Sequence, residues 1–521
     1  NLKWNKKMGT GWSAAPSVQI IVDNALVVMA GTNIYKLDLQ TGEILAAGEM
    51  VAAPNWGYTP PIYAEGMIFA PLTNGQIQAF NAKTLDSLWV YKDELGGQSL
   101  SSITYSDGYI YTGFWNGETK DANFICLSVT DEDVTKTNEE KTATWKHTQA
   151  GGFYWAGSVI VGDAVIVGTD DGMSGLDGPA MLYSFNKYTG DIISSLDIVG
   201  DQRSSIAYDS ASGKIYFTTK CGYLYSANVD GATGDLSGLK GVNHNAQTTS
   251  TPLVYKGKVY FGTGSGMTPT GTAGSFAAAD ANTLELLYHK DLLGYPQCSM
   301  LMTTAYEVST GYIYLYSTYN AKPGGITMIK VDPSKNTADG AEVIELYDAA
   351  GFQQYCISSL ICGPDGTLYY KNDSANVLAV GVPQAEGVMK LIDAIGIVTL
   401  DSDDAVTIAR NAYNALPEDE KQNVTNYSAL IAAETVLNDL KTVDAVEMLI
   451  DSIDVVKPSS ERTITAARVA YDGLTVEQKA KVSNYAALTK AEVDYKAIID
   501  KIDNVKSLIN AIGTVKYDKG T

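Results

Sequence analysis

The feature that most constrains the fold is an internal repeat of a strand, a tight turn and a second strand. Clear copies begin at Ser102, Ser205 and Thr251. Two alternating strands joined by a tight turn are typical of a β-hairpin. Further copies start near Gln19, Pro61, Ser158, Thr303 and Ser359. Eight copies of one hairpin predict a repeat architecture rather than an ordinary layered domain.

A third strand follows each hairpin, and in several copies it ends in a recurring turn. In the first copy Asp38 is followed by Gly42, and in the fourth Asn186 is followed by Gly190, with a threonine before each glycine. The Asp or Asn side chain can hydrogen-bond its own turn, and glycine supplies the positive φ that reverses the chain. A fourth strand should therefore follow in each copy.

A tryptophan marks the fourth strand in several copies, as at Trp89 and Trp145. The run Tyr-x-Leu-Asp-x-x-Thr-Gly followed by Trp resembles the repeat of the quinoprotein-like family, the PQQ-like β-propellers. The resemblance implies an all-β, eight-bladed β-propeller with four-stranded antiparallel blades over residues 1–383. It says little about activity, because propellers host unrelated functions.

The two ends of this region should close the ring together. The last copy supplies three strands within residues 360–382, and a spare strand that carries Trp4 stands at the start of the chain. Pairing the Trp4 strand with the strand around Leu378 would complete the eighth blade and remove an exposed sheet edge.

Composition changes after Pro383, where Ala, Leu, Ile, Asp and Lys replace Tyr and Gly. Leu391 recurs as Leu449 and Tyr413 as Tyr471, an offset of 58. Apolar residues at helical spacing predict an all-α C-terminal domain of tandem three-helix repeats. We expect repeats at residues 384–442 and 443–501 and the truncated start of a third at residues 502–521, with further domains of the chain beyond it.

The helical region resembles the tandem modules that hold domains away from the wall in Gram-positive bacterial surface proteins. That resemblance implies a stalk and an extracellular location, at the cell surface or associated with the cell wall. The formal charge of -22 argues against nucleic acid and anionic membranes as partners. No apolar run is long enough to insert into a membrane.

Catalytic motifs are absent from the sequence. His147, His244 and His289 have no metal-ligand spacing, and we expect His147 and His289 to be structural residues in strands. Asp170 and Asp171 predict a solvated loop. Quinone-dependent dehydrogenases of the resembling family place a disulfide of adjacent cysteines against the cofactor and hold Ca²⁺ nearby. The five cysteines here are never adjacent and predict small buried side chains. We expect no catalytic residue, metal or cofactor.

Successive strands of a blade run in opposite directions, so alternate connections lie on the same face of the ring. This strand parity places two sets of segments on one face, which we call the mouth. These are the leading segments, which precede the first strand of each blade, and the connections between second and third strands. Aromatic and amide side chains recur there and predict a ligand-binding surface. The candidate residues are Trp12, Trp56, Tyr58, Gln98, Trp115, Tyr154, Trp155, Arg203, Gln247, Gln297, Gln354 and Tyr355.

These observations favour a non-catalytic extracellular binding or adhesion module whose mouth binds a glycan, peptide or protein. Parity also predicts that the helical region leaves the ring from the face opposite the mouth. Two alternatives remain open: a cofactor-dependent oxidoreductase of the quinone type, and a scaffold for protein assembly like the outer-membrane assembly lipoproteins that share the resemblance.

Overall fold

The computed structural model describes residues 2–54, 58–264, 274–381 and 384–515; the side chains of residues 384, 415 and 419 lie outside this description. Contacts divide the chain into two compact units, Asn1–Pro383 and Gln384–Thr521. The first consists almost entirely of antiparallel sheets and the second of helices.

The first unit contains eight sheets that follow one another along the chain, which confirms the eight-bladed β-propeller. In blade order, the strands are Ile20–Val22, Ala25–Ala30, Asn33–Asp38 and Ile44–Glu49; Ile62–Ala64, Met67–Leu72, Gln76–Asn81 and Ser87–Lys92; Thr104–Ser106, Tyr109–Gly113, Asp121–Ser128 and Trp145–Ala150; Val159–Val161, Ala164–Gly168, Pro179–Asn186 and Ile192–Val199; Ala207–Asp209, Lys214–Thr218, Tyr223–Val229 and Leu236–Asn243; Leu253–Tyr255, Lys258–Gly264, Gly274–Asp280 and Leu286–Leu292; Leu301–Thr303, Ile313–Ser317, Ile326–Val331 and Ala341–Tyr347; and Ile361–Cys362, Leu368–Lys371, Asn376–Val380 and Leu2–Lys7.

The eighth blade is built from both ends of the unit. The strand Leu2–Lys7 pairs antiparallel with Asn376–Val380, so that Trp4 lies opposite Ala379 and Asn5 opposite Leu378. The predicted closure is therefore confirmed. Leu2–Lys7 thereby completes the eighth blade and covers the edge of Asn376–Val380 that would otherwise be open.

Blade two departs from the predicted four strands. A fifth strand, Glu139–Lys141, runs parallel to Ser87–Lys92 at its outer edge. It comes from the long connection between the third and fourth strands of blade three. The Lys141 ammonium lies over the Trp89 ring, 5.6 Å from its centroid, and helps fix this strand. Short helical segments, Glu307–Thr310 and Ala338–Gly340, occur in blade seven.

The turns after the third strands form as their sequence predicts. Asp38 Oδ1 accepts the backbone N–H groups of Gln40 and Thr41, and Gly42 adopts a φ of 71°. Blades two and six lack the glycine, and Leu85 and Leu284 take the left-handed conformation there, each with a φ of 62°. A leucine with that φ is strained, so contacts with the rest of the ring must hold these two turns in place.

Neighbouring blades are joined by docked tryptophans and by hydroxyl groups. Trp4 Nε1 donates to Leu39 O at 2.9 Å, and Trp145 Nε1 donates to Lys187 O at 2.9 Å, in both cases in the next blade. Ser and Thr side chains near the axis donate to backbone carbonyls of the following blade. These bonds are Thr59 to Leu100, Ser101 to Phe153, Thr218 to Ser250, Ser250 to Cys298 and Thr318 to Ser358.

The second unit is helical, as predicted, with the helices Gln384–Ala394, Asp403–Ala415, Glu418–Lys421, Tyr427–Asp451, Glu461–Asp472, Val476–Lys479 and Tyr485–Ile512 and a 3-10 turn at Leu400–Ser402. Each predicted repeat gains a fourth helix of one turn, Glu418–Lys421 or Val476–Lys479. The long helix Tyr427–Asp451 serves both repeats, because no glycine or proline interrupts it. Among the described residues, no helix is both long and apolar enough to cross a membrane.

The two helical repeats share the same internal bonds. Arg410 makes a bidentate ion pair with Glu434, at 2.5 and 2.6 Å, and Arg468 makes the same pair with Glu492, at 2.6 and 2.7 Å. A stacked tyrosine pair accompanies each arginine, Tyr413 with Tyr427 and Tyr471 with Tyr485. Identical contacts at matching positions show that the sequence repeat is also a structural repeat.

Candidate ligand-binding site

Backbone hydrogen bonds hold the leading segments against the connections between second and third strands. Gln98 and Trp115 exchange two such bonds, at 2.7 and 3.0 Å. Gln202 N–H donates to Thr169 O at 3.0 Å, and Gly264 N–H donates to Gln247 O at 2.7 Å. The two sets of segments therefore meet on one face of the ring.

Four aromatic rings form a continuous path across blades two, three and four at this face. The ring centroids of Trp115 and Tyr154 are 4.8 Å apart, those of Tyr154 and Trp155 are 4.7 Å apart, and those of Trp155 and Tyr58 are 6.0 Å apart. The second pair is stacked and the third is edge-to-face. Such geometries are favourable between aromatic rings, and the path presents both ring faces and ring edges.

Trp155 has a backbone conformation that bulky residues rarely adopt. Its φ is 58°, in the left-handed region. A non-glycine residue held there costs about 1–3 kcal/mol, and such strain clusters at functional sites. This backbone conformation directs the Trp155 indole toward Tyr58 and the opening of the ring, where both residues line a cavity.

The cavity at the axis has a volume of about 540 Å³, including the solvent at its opening. Hydroxyl groups from six blades line it, and Gln297 adds an amide. The hydroxyl residues are Thr59, Ser102, Ser204, Ser205, Thr249, Thr251, Ser299 and Ser359. The two aromatic rings and one guanidinium group, that of Arg203, complete a lining that can hydrogen-bond a polar ligand and stack against it.

Arg203 lies at the centre of three carboxylates. Its Nη2 atom is 2.7 Å from Glu118 Oε2 and 2.8 Å from one carboxylate oxygen each of Asp170 and Asp201. The side chains of Asp170 and Asp201 are fully buried, and the guanidinium lies 4.5 Å from the centroid of the Tyr154 ring. The cluster joins blades three, four and five beneath the aromatic path.

Burial is the largest influence on the pKa values of Asp170 and Asp201. It raises the pKa of Asp201 to about 6 and the pKa of Asp170 well above its usual range, although the Arg203 charge opposes both shifts. Burial alone would lower the pKa of Arg203, but the charges of Asp170 and Asp201 raise it. The arginine is therefore permanently charged, and Asp201 is partly protonated near pH 6.

Two lysines also belong to the mouth. Lys220 follows the second strand of blade five and lies over the Tyr295 ring, with its Nζ 5.6 Å from the centroid. Lys371 ends the second strand of blade eight and lies over the Tyr58 ring, at 4.8 Å. Burial, reinforced by the nearby Arg203 charge, lowers the pKa of Lys220 to about 8, and burial lowers that of Lys371.

The structure brings six of the sequence candidates together: Tyr58, Trp115, Tyr154, Trp155, Arg203 and Gln297. Two of the glutamines have partners within the protein: Gln297 Oε1 accepts from Asn320 Nδ2 at 2.7 Å, and Gln354 Oε1 accepts the N–H of Tyr355 at 3.1 Å. Gln247, Trp12 and Tyr355 are exposed, the last two by 53% and 48%. Trp56 lies outside the described residues.

Two expectations need correction. The loop at Asp170 and Asp171 is not simply solvated, because Asp170 is fully buried by its ion pair with Arg203. The cysteines are not uniformly buried either: Cys126, Cys298 and Cys356 are buried, whereas Cys221 is partly exposed and Cys362 exposed. His147 and His289 do lie in strands, as predicted.

Sequence reasoning missed Glu118, Asp201, Lys220 and Lys371. Each lies in a connection, or at a strand end beside one. The partners of Glu118, Lys220 and Lys371 are distant in the sequence, whereas Asp201 pairs with Arg203, which lies two residues further along the chain. One signal was available: Arg203 is the sole basic residue among the candidate mouth residues, and such a residue near the axis requires acidic partners.

The residues present do not fit the calcium ion and quinone that the resembling dehydrogenases use. Glu118, Asp170 and Asp201 offer oxygens within 4.8 Å of one another, the spacing of a cation site, but Arg203 Nη2 already contacts all three. All five cysteines are free thiols, and none is adjacent to another in sequence.

Comparisons with known proteins agree with the fold. Residues 1–119 match the family model described as outer membrane protein assembly factor BamB. No curated protein sequence matches the chain. A solved europium-containing methanol dehydrogenase is 12% identical, with a TM-score of 0.51, over 71% of this chain and 84% of its own.

Two other solved structures have TM-scores below 0.5. BamB from Moraxella catarrhalis is 13% identical over 73% of this chain and 96% of its own, with a TM-score of 0.48. A quinohemoprotein alcohol dehydrogenase from Pseudomonas putida HK5 is 12% identical over 83% of this chain and 91% of its own, with a TM-score of 0.49. The similarity to the methanol dehydrogenase shows a shared fold, and the first 119 residues match the family model described as outer membrane protein assembly factor BamB.

Proposed function

We propose that this protein is a non-catalytic binding module whose ligand is held at the propeller mouth. The observation that carries the proposal is the strained Trp155, whose indole joins an aromatic path beside a hydroxyl-lined cavity. A packed plug for the channel would not require a tryptophan in the left-handed conformation, since a glycine would fit the same backbone without strain.

A glycan suits this surface better than an apolar ligand. Sugars present hydroxyl groups at their edges and C–H groups on their faces. The cavity offers hydroxyl and amide partners for the edges, and Tyr58 and Trp155 offer ring surfaces for the faces. Peptides with aromatic or amide side chains use the same groups and form the second ligand class to test.

We also propose that the protein acts outside the cell, at the surface or the cell wall, in adhesion. The support is the sequence resemblance of the helical repeats to the modules that hold domains away from the wall in Gram-positive surface proteins, together with a formal charge of -22 that disfavours nucleic acid. In this proposal the helical unit serves as a stalk, and the mouth faces outward.

Glycan and peptide arrays probed with the intact chain test the proposal. We expect binding to a restricted set of glycans, lost in Tyr154→Ala and Trp155→Ala variants. Tyr188→Ala is the matched control, since Tyr188 is an exposed aromatic residue on an outer turn of blade four. No binding on either array, or equal loss in the control, would contradict the proposal.

A scaffold for protein assembly is the second candidate, because residues 1–119 match the model described as an outer membrane protein assembly factor. A photo-crosslinking amino acid at position 155 on intact cells separates the two functions. Crosslinks to one defined protein, with empty glycan arrays, would favour the scaffold; array binding that free glycan displaces would favour the module.

A further inference from the structure

The positively charged side chains of the mouth differ in how far they are already paired with carboxylates, and therefore in their ability to bind a ligand. The Nη2 atom of Arg203 contacts three carboxylates, its guanidinium lies on the Tyr154 ring, and its Nε is buried without a hydrogen-bond partner among the described residues. An anionic ligand would have to displace a carboxylate to reach it. Arg203 is therefore a structural centre of the mouth and a poor anchor for an anion.

Lys220 is differently placed. Among the described residues, no carboxylate lies within ion-pair distance of its Nζ, whereas Lys3, Lys187 and Lys256 each form an ion pair. Its ammonium lies over Tyr295, whose hydroxyl is 3.4 Å from Thr249 Oγ1 in the cavity lining. Lys220 is partly exposed, so its ammonium can reach a bound ligand at the cavity rim.

Lys371 adds a second positive charge without a matching ion pair in the described part of the chain. Its Nζ is buried and has no hydrogen-bond partner there, and it lies behind the Tyr58 ring. Asp373 is close enough to influence Lys371, but one of its own oxygens is also buried without a hydrogen bond. An ammonium group that is buried without a hydrogen-bond partner is destabilising unless a nearby negative charge compensates it.

We propose that the ligand is an anionic sugar, whose carboxylate or sulfate group pairs with Lys220 while its ring stacks near Tyr58 and Trp155. This inference rests on the proposed function and names the ligand class of the same site. The Lys371 charge behind Tyr58 favours the same sign of ligand at the neighbouring ring. The overall charge of -22 does not oppose this pairing strongly, because exposed charges are screened beyond about 8–10 Å at physiological salt.

Titration of the intact chain with three matched oligosaccharides tests the inference: oligogalacturonate, its methyl ester and a sulfated oligogalactan. We expect one acidic probe to bind about tenfold or more tightly than the neutral ester, the difference that a charge-assisted hydrogen bond supplies. The two acidic arms distinguish carboxylate from sulfate as the recognised group.

Lys220→Met should remove this preference and leave the affinity for the methyl ester unchanged. Lys240→Met, a change of an exposed lysine in the same blade, should alter neither value. Affinity for the acidic probe should also fall as the pH rises through about 8, where Lys220 loses its proton; Arg203, Asp201 and Tyr295 are the ionisable groups that face it.

Three experimental results would contradict different parts of the proposal. Neutral glycans that bind in a Trp155-dependent manner, with no preference for either acid, would overturn the anionic ligand and leave the binding module standing. An acidic preference that survives in Lys220→Met would overturn the role of Lys220. Absence of binding to all three probes and to the arrays would overturn the proposed function itself.

Discussion

The Trp4 indole packs directly on Gly42 of the neighbouring blade, where an added Cβ atom would lie 2.6 Å from the ring. Trp4 is contributed by the start of the chain, and the strand that carries it completes the eighth blade. This contact therefore joins blade eight to blade one at the closure of the ring.

Trp4→Ala should lower the free energy of unfolding of the propeller by about 3–5 kcal/mol, the usual cost of truncating a buried tryptophan. Gly42→Ala should also destabilise, through the ring clash and its φ of 71°. Gly31→Ala is the control, since Gly31 has a φ of 60° but no atom within 4 Å of an added Cβ. Denaturant unfolding that finds Gly42→Ala no worse than Gly31→Ala would contradict the docking contact.

Arg203→Ala should convert the acidic cluster into a cation site. Removing the guanidinium leaves three carboxylates within 4.8 Å of one another and with no cation between them. We expect a lower melting temperature, partly restored by millimolar Ca²⁺, while Ca²⁺ leaves the wild type unchanged. Isothermal titration calorimetry checks the binding directly. A wild-type protein that binds Ca²⁺ at this cluster would show that Arg203 does not fill the site.

The pH dependence of stability should carry a contribution from Asp201. Its pKa is about 6 in the folded protein and near 4 when unfolded, so the folded state holds the proton more tightly. The contribution therefore favours folding below about pH 4 and is lost as the pH rises to about 6. Thermal melts between pH 4 and 7 measure this contribution as the difference in stability between the wild type and Asp201→Asn. A wild type that gains stability relative to Asp201→Asn over this range would reverse the predicted sign.

The eight blades were predictable because they depend on local chemistry that repeats. Asp38, Asn186 and their equivalents form the same turn in several copies, and Trp4 lies in the fourth strand that the last copy lacks. The extra strand Glu139–Lys141 was not predictable, since its pairing with blade two depends on how one long connection folds back.

The mouth was only partly predictable for a related reason. Strand parity assigns a segment to a face, so Tyr58, Tyr154 and Trp155 could be anticipated as neighbours. Parity does not say which side chains turn inward, and the partners of Arg203 come from three different connections. Burial of the acids beside Arg203 is a property of the closed ring.

The repeated arginines of the helical unit should contribute equally to its stability. Arg410→Ala and Arg468→Ala each remove a bidentate pair with glutamate and a contact with stacked tyrosines. We expect a loss of about 1 kcal/mol from each, since partly exposed pairs are worth little unless their geometry is good. Arg462→Ala, at an exposed position, should have no effect in the same denaturant titration. Markedly unequal losses would contradict equivalent repeats.

Trp155→Gly tests most directly whether the mouth is a binding site. Glycine adopts the φ of 58° without strain, so the melting temperature should stay within a few degrees of the wild type even though ring contacts with Tyr58 and Tyr154 are lost. Affinity for the strongest glycan probe of the array should fall at least about tenfold, as for other buried aromatic anchors of binding sites. Unchanged affinity in a folded Trp155→Gly protein would contradict the account.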